Sequence, residues 1–199
     1  MSEINTVVFD VGRVLFDFSF SRFFKLMEDH GAGPIGPDIY QRIDLDAYEH
    51  GQISSERFID RLSALTTRPI DRKELVEHWQ NIFTGIPEML RLAEELKSRY
   101  QVLLLSNTSE LHWNHLESRH QIENLAHGVV TSFRVGAMKP NPVIYKHAED
   151  TFSLTPTRCV FIDDIQENID GAKARGWQGI HHRSPETTRV ELRALGVSC

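Results

Sequence analysis

Four short apolar runs punctuate the chain: TVVF at 6–9, QVLLL at 101–105, GVVT at 128–131 and CVFI at 159–162. Each is rich in β-branched or large apolar residues and stops at polar or small ones, the pattern of a strand covered on both faces. Helical periods lie between the later runs. In IPEMLRLAEELKSRY, Pro87 stands at a helix start, and Leu90, Leu92, Ala93 and Leu96 fall along one face. KPNPVIYKHAEDTF and QENIDGAKARGWQ behave similarly, with Gly176 placed to end the second. Strand alternating with helix predicts an α/β fold, a doubly wound, Rossmann-like parallel sheet.

Residues 18–85 break that rhythm, with several helical patterns and no convincing strand between the first two apolar runs. Ser54 is placed to cap SERFIDRLSAL, and Asp71 with Glu74 forms a D-x-x-E capping arrangement before LVEHWQNIF. The expectation is a small all-helical cap domain at 18–85, inserted into an α/β core of 1–17 and 86–199. No internal repeat, linker or low-complexity segment interrupts either part.

At 199 residues the chain suits one such domain with a modest insertion. With 40% hydrophobic and 25% charged residues, neither disorder nor a fibrous repeat is suggested. A formal net charge of -6 offers little general attraction for nucleic acid or an anionic membrane, so neither is expected as a partner. Anion-binding groups must then be few and placed. The two cysteines, Cys159 and Cys199, make no disulfide framework, which fits a reducing compartment. The opening MSEINTVVFD lacks the features of a secretory signal, and no apolar run approaches the ~18 to 20 residues that span a bilayer. A cytoplasmic location is expected; the sequence leaves monomer and dimer open.

Ligands of a doubly wound sheet bind beyond the carboxyl ends of its strands. The first run is followed by Asp10, the second by Ser106, Asn107 and Thr108, the third by a loop leading to Lys139, and the fourth by Asp163 and Asp164. Adjacent carboxylates facing a third repel one another unless protonated or neutralised, and a hard cation such as Mg²⁺ neutralises them through oxygen ligands. Lys139 then suits a second anion, whose remaining oxygens Ser106 and Asn107 can hydrogen-bond. A phosphate bridging Mg²⁺ and lysine uses every member.

The motifs VVFDVGRVL, LLLSNT, GAMKPNPVIY and VFIDDIQENIDGA, in this order, resemble those of the haloacid dehalogenase (HAD) superfamily, in the helical-cap branch of subfamily IA. The resemblance covers almost the whole chain. It implies that Asp10 is the nucleophile, forming an aspartyl-phosphate that water then hydrolyses. It also implies that Ser106 and Lys139 hold the phosphoryl group with Asn107 beside them. Asp10, Asp164 and the carbonyl of Gly12 would bind magnesium directly, and Asp163 through water.

Gly12 departs from the pattern, because most phosphatases of the superfamily carry there a second aspartate that protonates the leaving oxygen and activates water. Losing such help costs typically ~10²- to 10⁴-fold in rate. A subset does open with D-x-G, and the chain is similar to its bacterial sugar-1-phosphate phosphatases, of the α-D-glucose-1-phosphate type. An anomeric leaving group, more acidic than an ordinary alcohol, needs less protonation. The resemblance implies a Mg²⁺-dependent phosphatase acting on a small phosphorylated metabolite, expected to be a sugar phosphate and more narrowly a sugar 1-phosphate.

Two alternatives stand beside this. A 2-haloacid dehalogenase uses the same aspartate without a metal, but its fourth motif tends to carry serine and asparagine where this chain has Asp163 and Asp164. A non-catalytic ligand-binding protein on the same scaffold has only Gly12 in its favour. Arg13 either reaches the substrate or is solvated. His112, His115 and His120 read as a solvated face rather than a metal site, and Phe23, Phe24, Trp79 and Phe83 as core rather than a substrate wall.

Overall fold

The computed structural model describes residues 3–33, 35 and 38–199; residues 1, 2, 34, 36 and 37 of the expected core and cap lie outside it. The chain opens with β1 (Thr6–Phe9) and a short β2 (Phe16–Phe18). Five helices follow: α1 (Ser21–Asp29), α2 (Ile39–Arg42), α3 (Leu45–Glu49), α4 (Ser55–Ser63) and α5 (Arg72–Gln80). Next come β3 (Phe83–Gly85), α6 (Pro87–Lys97), β4 (Gln101–Ser106), α7 (Glu110–His120) and β5 (Gly128–Thr131). The remainder is α8 (Ser132–Val135), α9 (Pro142–Phe152), β6 (Cys159–Asp163), α10 (Gln166–Ala174), β7 (Gln178–His181) and α11 (Pro185–Ala194).

Five strands form one parallel sheet in the order β5-β4-β1-β6-β7. All four residues of β1 are buried, which is why its sequence is continuously apolar rather than alternating. Their side chains still divide by the period of two. Val7 and Phe9 join Leu92, Leu96, Trp113 and Leu192 of α6, α7 and α11, whereas Val8 joins Ile144, Tyr145 and Ile169 of α9 and α10. Central β1, with later strands added on either side, is the topological switch point of the sheet. Because Phe9 pairs with Leu104 on one side and Ile162 on the other, the chain leaves β1, β4 and β6 at nearly one level.

Helices α1 to α5 close around their own apolar cluster, which includes Phe23, Met27, Phe58, Leu62, Leu75 and Trp79. The capping signals act as expected: Ser54 Oγ accepts from Arg57 N at 3.3 Å, and Asp71 Oδ1 from Lys73 N and Glu74 N at 3.0 and 3.1 Å. Gly176, with φ +92°, follows α10.

Four sequence expectations need correction. The span 18–85 is not wholly helical, because β2 and β3 pair antiparallel, Phe16 opposite Gly85 and Phe18 opposite Phe83. Three-residue strands carry too little period to be read. The sheet has a fifth strand, β7, in which Ile180 alone is buried, as suits an edge. Strands β4 and β6 each run one residue past their apolar stretch and end on Ser106 and Asp163. On α6 the buried positions are Met89, Leu92, Ala93 and Leu96, with Leu90 only partly covered. No helix among the described residues is long and apolar enough to cross a membrane.

Candidate active site

The register brings the polar residues at the strand ends together. Asp10 follows β1 and its backbone N–H donates to Ile162 O at 2.9 Å, which sets it beside Asp163 at the end of β6. Lys139 arrives from the loop between α8 and α9. Its Nζ lies 2.7 Å from Asp10 Oδ1 and 2.7 Å from Asp163 Oδ2. All three are buried, at 4%, 7% and 0% exposure for Lys139, Asp10 and Asp163. Asp163 is held further by Asn168 Nδ2, 3.1 Å from each of its oxygens, and by Ile165 N at 2.8 Å. Asp164 is half-buried, and the three carboxylates offer oxygens within 4.8 Å of one another.

One ammonium against three carboxylates leaves surplus negative charge in a desolvated place. Burial pushes Asp10 well above the usual carboxylate range, Asp163 pushes it further, and Lys139 pulls it back. Asp164 is raised by burial and by Asp163. Burial alone would lower Lys139, but Asp10 and Asp163 keep its ammonium above the ordinary value. Oxygen donors, surplus negative charge and close mutual approach suit a hard divalent cation such as Mg²⁺.

Ser106 is buried at the end of β4, its hydroxyl 3.5 Å from Asn107 O. Asn107 uses its side-chain amide on the backbone of Lys139, accepting from Lys139 N at 2.8 Å and donating to Lys139 O at 2.9 Å. Neither residue caps the following helix; Ser109 does, accepting from His112 N at 3.5 Å. Gly12 adopts no left-handed conformation, but a Cβ there would lie 3.2 Å from Phe18 Cε1. The guanidinium of Arg13 sits 4.2 Å above the Phe18 ring and pairs with Asp17 at the surface.

A cavity of about 280 Å³ lies between these strand ends and the helical insertion. Gly12, Ser106 and Asn107 line its floor, Phe18 and Phe83 one wall, and Tyr40 and Glu49 come from the insertion. Phe83 is thus partly a wall residue, while Phe23 and Trp79 are core as expected and Phe24 is partly buried. His112 also lines the cavity, against the expectation of a solvated face. It is 5% exposed, stacks on Trp79 with ring centroids 4.8 Å apart and donates from Nε2 to Trp79 O at 3.0 Å. Burial lowers its pKa to about 4, so the ring is neutral. His115 is half-buried and His120 exposed.

Glu49 was not legible as a site residue: it is one of 28 acids and lies in no motif. Burial pushes its carboxyl up to about 7, with Asp46 adding to the rise and His50 opposing it. Only the packing of α3 against the cavity singles it out.

The family model for haloacid dehalogenase-like hydrolases matches residues 4–176. The D-ribitol-5-phosphate phosphatase of Bacteroides thetaiotaomicron is 23% identical over 96% of this chain and 98% of its own. A phosphatase of Mycobacterium tuberculosis is 29% identical over 97% of this chain and 94% of its own. A crystal structure of a HAD family enzyme from Bacteroides thetaiotaomicron, in complex with magnesium and inorganic phosphate, shares the fold with a TM-score of 0.83 at 23% identity, covering 90% of this chain and 94% of that one. The family match runs from before β1 to beyond α10 and takes in Asp10, Ser106, Lys139, Asp163, Asp164 and the whole insertion, so this chain belongs to the haloacid dehalogenase-like hydrolase family.

Proposed function

We propose that this protein is a Mg²⁺-dependent phosphatase that hydrolyses a small phosphomonoester, a sugar phosphate and more narrowly a sugar 1-phosphate, through an aspartyl-phosphate on Asp10. The observation that carries this reading is the ammonium of Lys139 held between Asp10 and Asp163 with Asp164 alongside. Names of relatives support it, since both full-length ones described above are phosphatases.

Asp10, Asp164 and the Gly12 carbonyl would hold Mg²⁺, with Asp163 acting through water; when bound, the ion supplies positive charge to the phosphate oxygens. An oxygen of Asp10 bonds to phosphorus as the bond to the leaving oxygen breaks. Two hydrogens of the Lys139 ammonium face carboxylates, and the third is available to a phosphoryl oxygen, as is the Ser106 hydroxyl. Asn107 keeps Lys139 in place. Water then attacks the aspartyl-phosphate and releases phosphate.

Residues 18–85 act in this proposal as a cap domain that excludes water and selects the substrate. The enzyme would work in the cytoplasm on a small metabolite rather than on nucleic acid. Dehalogenation is disfavoured because three clustered carboxylates would repel the carboxylate of a haloacid.

The test is phosphate release from sugar 1-phosphates, sugar 6-phosphates and 4-nitrophenyl phosphate, with Mg²⁺, with chelator and with Asp10→Asn. Turnover that requires both Mg²⁺ and Asp10 supports the proposal. No release by the intact protein from any ester, the activated aryl one included, would overturn it. Equal reactivity of 1- and 6-phosphates would remove only the narrower substrate.

A further inference from the structure

Breaking a phosphate ester leaves an alkoxide unless a proton arrives, and the Asp10 cluster has none free to give. Asp10 is committed to phosphorus, Asp163 accepts from Lys139, Asn168 and Ile165 N, Asp164 would hold Mg²⁺, and the Lys139 ammonium, pinned between two carboxylates, has its third hydrogen turned to a phosphoryl oxygen rather than to the leaving group. Gly12, which lines the cavity two residues after Asp10, has no side chain, and a Cβ there would already lie 3.2 Å from Phe18 Cε1.

The rest of the cavity wall offers three groups that titrate: Tyr40, His112 and Glu49. Tyr40 is 40% exposed, the most open of the three to solvent. The ring of His112 is neutral, and its one N–H donates to Trp79 O, so it has no proton to deliver. Glu49 stands at the last position of α3 and lines the same cavity as Gly12, Ser106 and Asn107. Its neighbours are otherwise engaged: Asp46 lies 3.5 Å from His50 Nδ1, and Asp44 pairs with Arg61. Among the described residues the Glu49 carboxyl has no hydrogen-bond or ion-pair partner, so it is left to whatever fills the cavity.

We propose that Glu49 is the proton donor to the leaving group and the proton acceptor for the attacking water. The assignment rests on the phosphatase reading above. In the first step an Asp10 oxygen bonds to phosphorus, the phosphorus–oxygen bond to the leaving group breaks, and the Glu49 carboxyl gives its proton to that oxygen. In the second, water oxygen bonds to phosphorus, the bond from phosphorus to Asp10 breaks, and the Glu49 carboxylate takes the proton of the water. Glu49 ends as it began. A carboxyl raised to about 7 is suited to both duties near neutral pH, since it is populated in both forms there.

The experiment compares the intact protein with Glu49→Gln, which keeps size and polarity but cannot exchange the proton. First-turnover release of the leaving group is measured with Mg²⁺ for sugar phosphates of both the 1- and the 6-linked kind, the faster of which serves as the alcohol ester, and for 4-nitrophenyl phosphate, whose leaving group needs little protonation. We expect Glu49→Gln to slow the alcohol ester by about 10²- to 10⁴-fold, and by at least about tenfold more than the aryl ester. The intact protein should lose alcohol-ester rate as pH rises through about 7, and Glu49→Gln should lack that limb. Equal losses on both esters, or an alcohol-ester rate that survives in Glu49→Gln, would overturn the assignment while leaving the phosphatase reading intact. Intact protein active only on the aryl ester would overturn it too, because the proposed donor would then be supplying nothing. Silence of the intact protein on both esters would instead remove the phosphatase reading and this one with it.

Discussion

The side-chain amide of Asn107 grips the peptide groups of Lys139 from both directions, accepting from its N–H at 2.8 Å and donating to its carbonyl at 2.9 Å. This clamp ties the end of β4 to the loop that delivers the ammonium to Asp10. Asn107 therefore acts through Lys139. Replacing it with alanine leaves a buried N–H without its acceptor, which costs about 1–3 kcal/mol. Displacement of Nζ should lower kcat by up to about 100-fold. Urea midpoints and steady-state kinetics check both, and a variant whose kcat is unchanged would show that the clamp does not position the lysine.

The surplus of carboxylates over Lys139 gives Asp164→Asn two effects of opposite sign. Without metal at pH 8 the variant should be at least as stable as the parent, because a carboxylate repelled by Asp163 and pushed up by burial has become neutral. Addition of Mg²⁺ should stabilise the parent by about 2.7 kcal/mol at 100 times its Kd, and the variant by much less. Thermal melts in chelator and in Mg²⁺ measure both. An equal Mg²⁺ shift in the two proteins would show that Asp164 does not hold the ion.

Much of this site was readable because each chemical residue follows an apolar run that the sheet must bury. Asp10, Ser106 and Asp163 are where hydrophobic strands end, and a parallel sheet places such ends on one edge. The β2–β3 pair and β7 were missed for the converse reason: three residues, or one buried side chain, carry no period. Glu49 and His112 come from helices whose role depends on how the insertion meets the core, and no local pattern encodes that meeting. His112 shows it most plainly, since helix α7 has a weakly segregated face and the ring is buried by Trp79 of the insertion.

That burial gives His112 a signature in the pH dependence of stability. The unfolded chain binds its proton near 6.5 and the folded protein only near 4. Between these values the unfolded state holds more protons, so the contribution is fully present above about pH 6.5 and is lost as pH falls toward 4. The whole effect is on the order of 3 kcal/mol, since each tenfold difference in proton affinity between the two states is worth about 1.4 kcal/mol. Glu49 acts with the opposite sign over an overlapping range, so the contribution is isolated by comparing the parent with His112→Gln. The stability difference between the two should narrow from pH 7 to pH 5. A constant difference would mean that the histidine titrates normally when folded.

The turn after α3 determines whether Glu49 reaches the cavity, and Gly51 is its tightest point. Gly51 has φ +67°, donates from its N–H to Tyr48 O at 3.0 Å, and would place a Cβ 2.2 Å from the Phe133 carbonyl oxygen in α8. Alanine there meets two penalties: a left-handed backbone, worth about 1–2 kcal/mol, and a clash with the Phe133 backbone that no side-chain rotation relieves. Gly33 separates the two, because its φ is +70° and nothing among the described residues lies within 4 Å of its would-be Cβ. Gly33→Ala should show the backbone cost alone, while Gly51→Ala should be the more destabilised and should also lose activity as Glu49, two residues earlier, is displaced. Urea midpoints and kcat for the pair decide the matter. Equal destabilisation would mean that the contact between Gly51 and Phe133 has slack, and an active Gly51→Ala would mean that the turn can shift without moving Glu49 from the cavity.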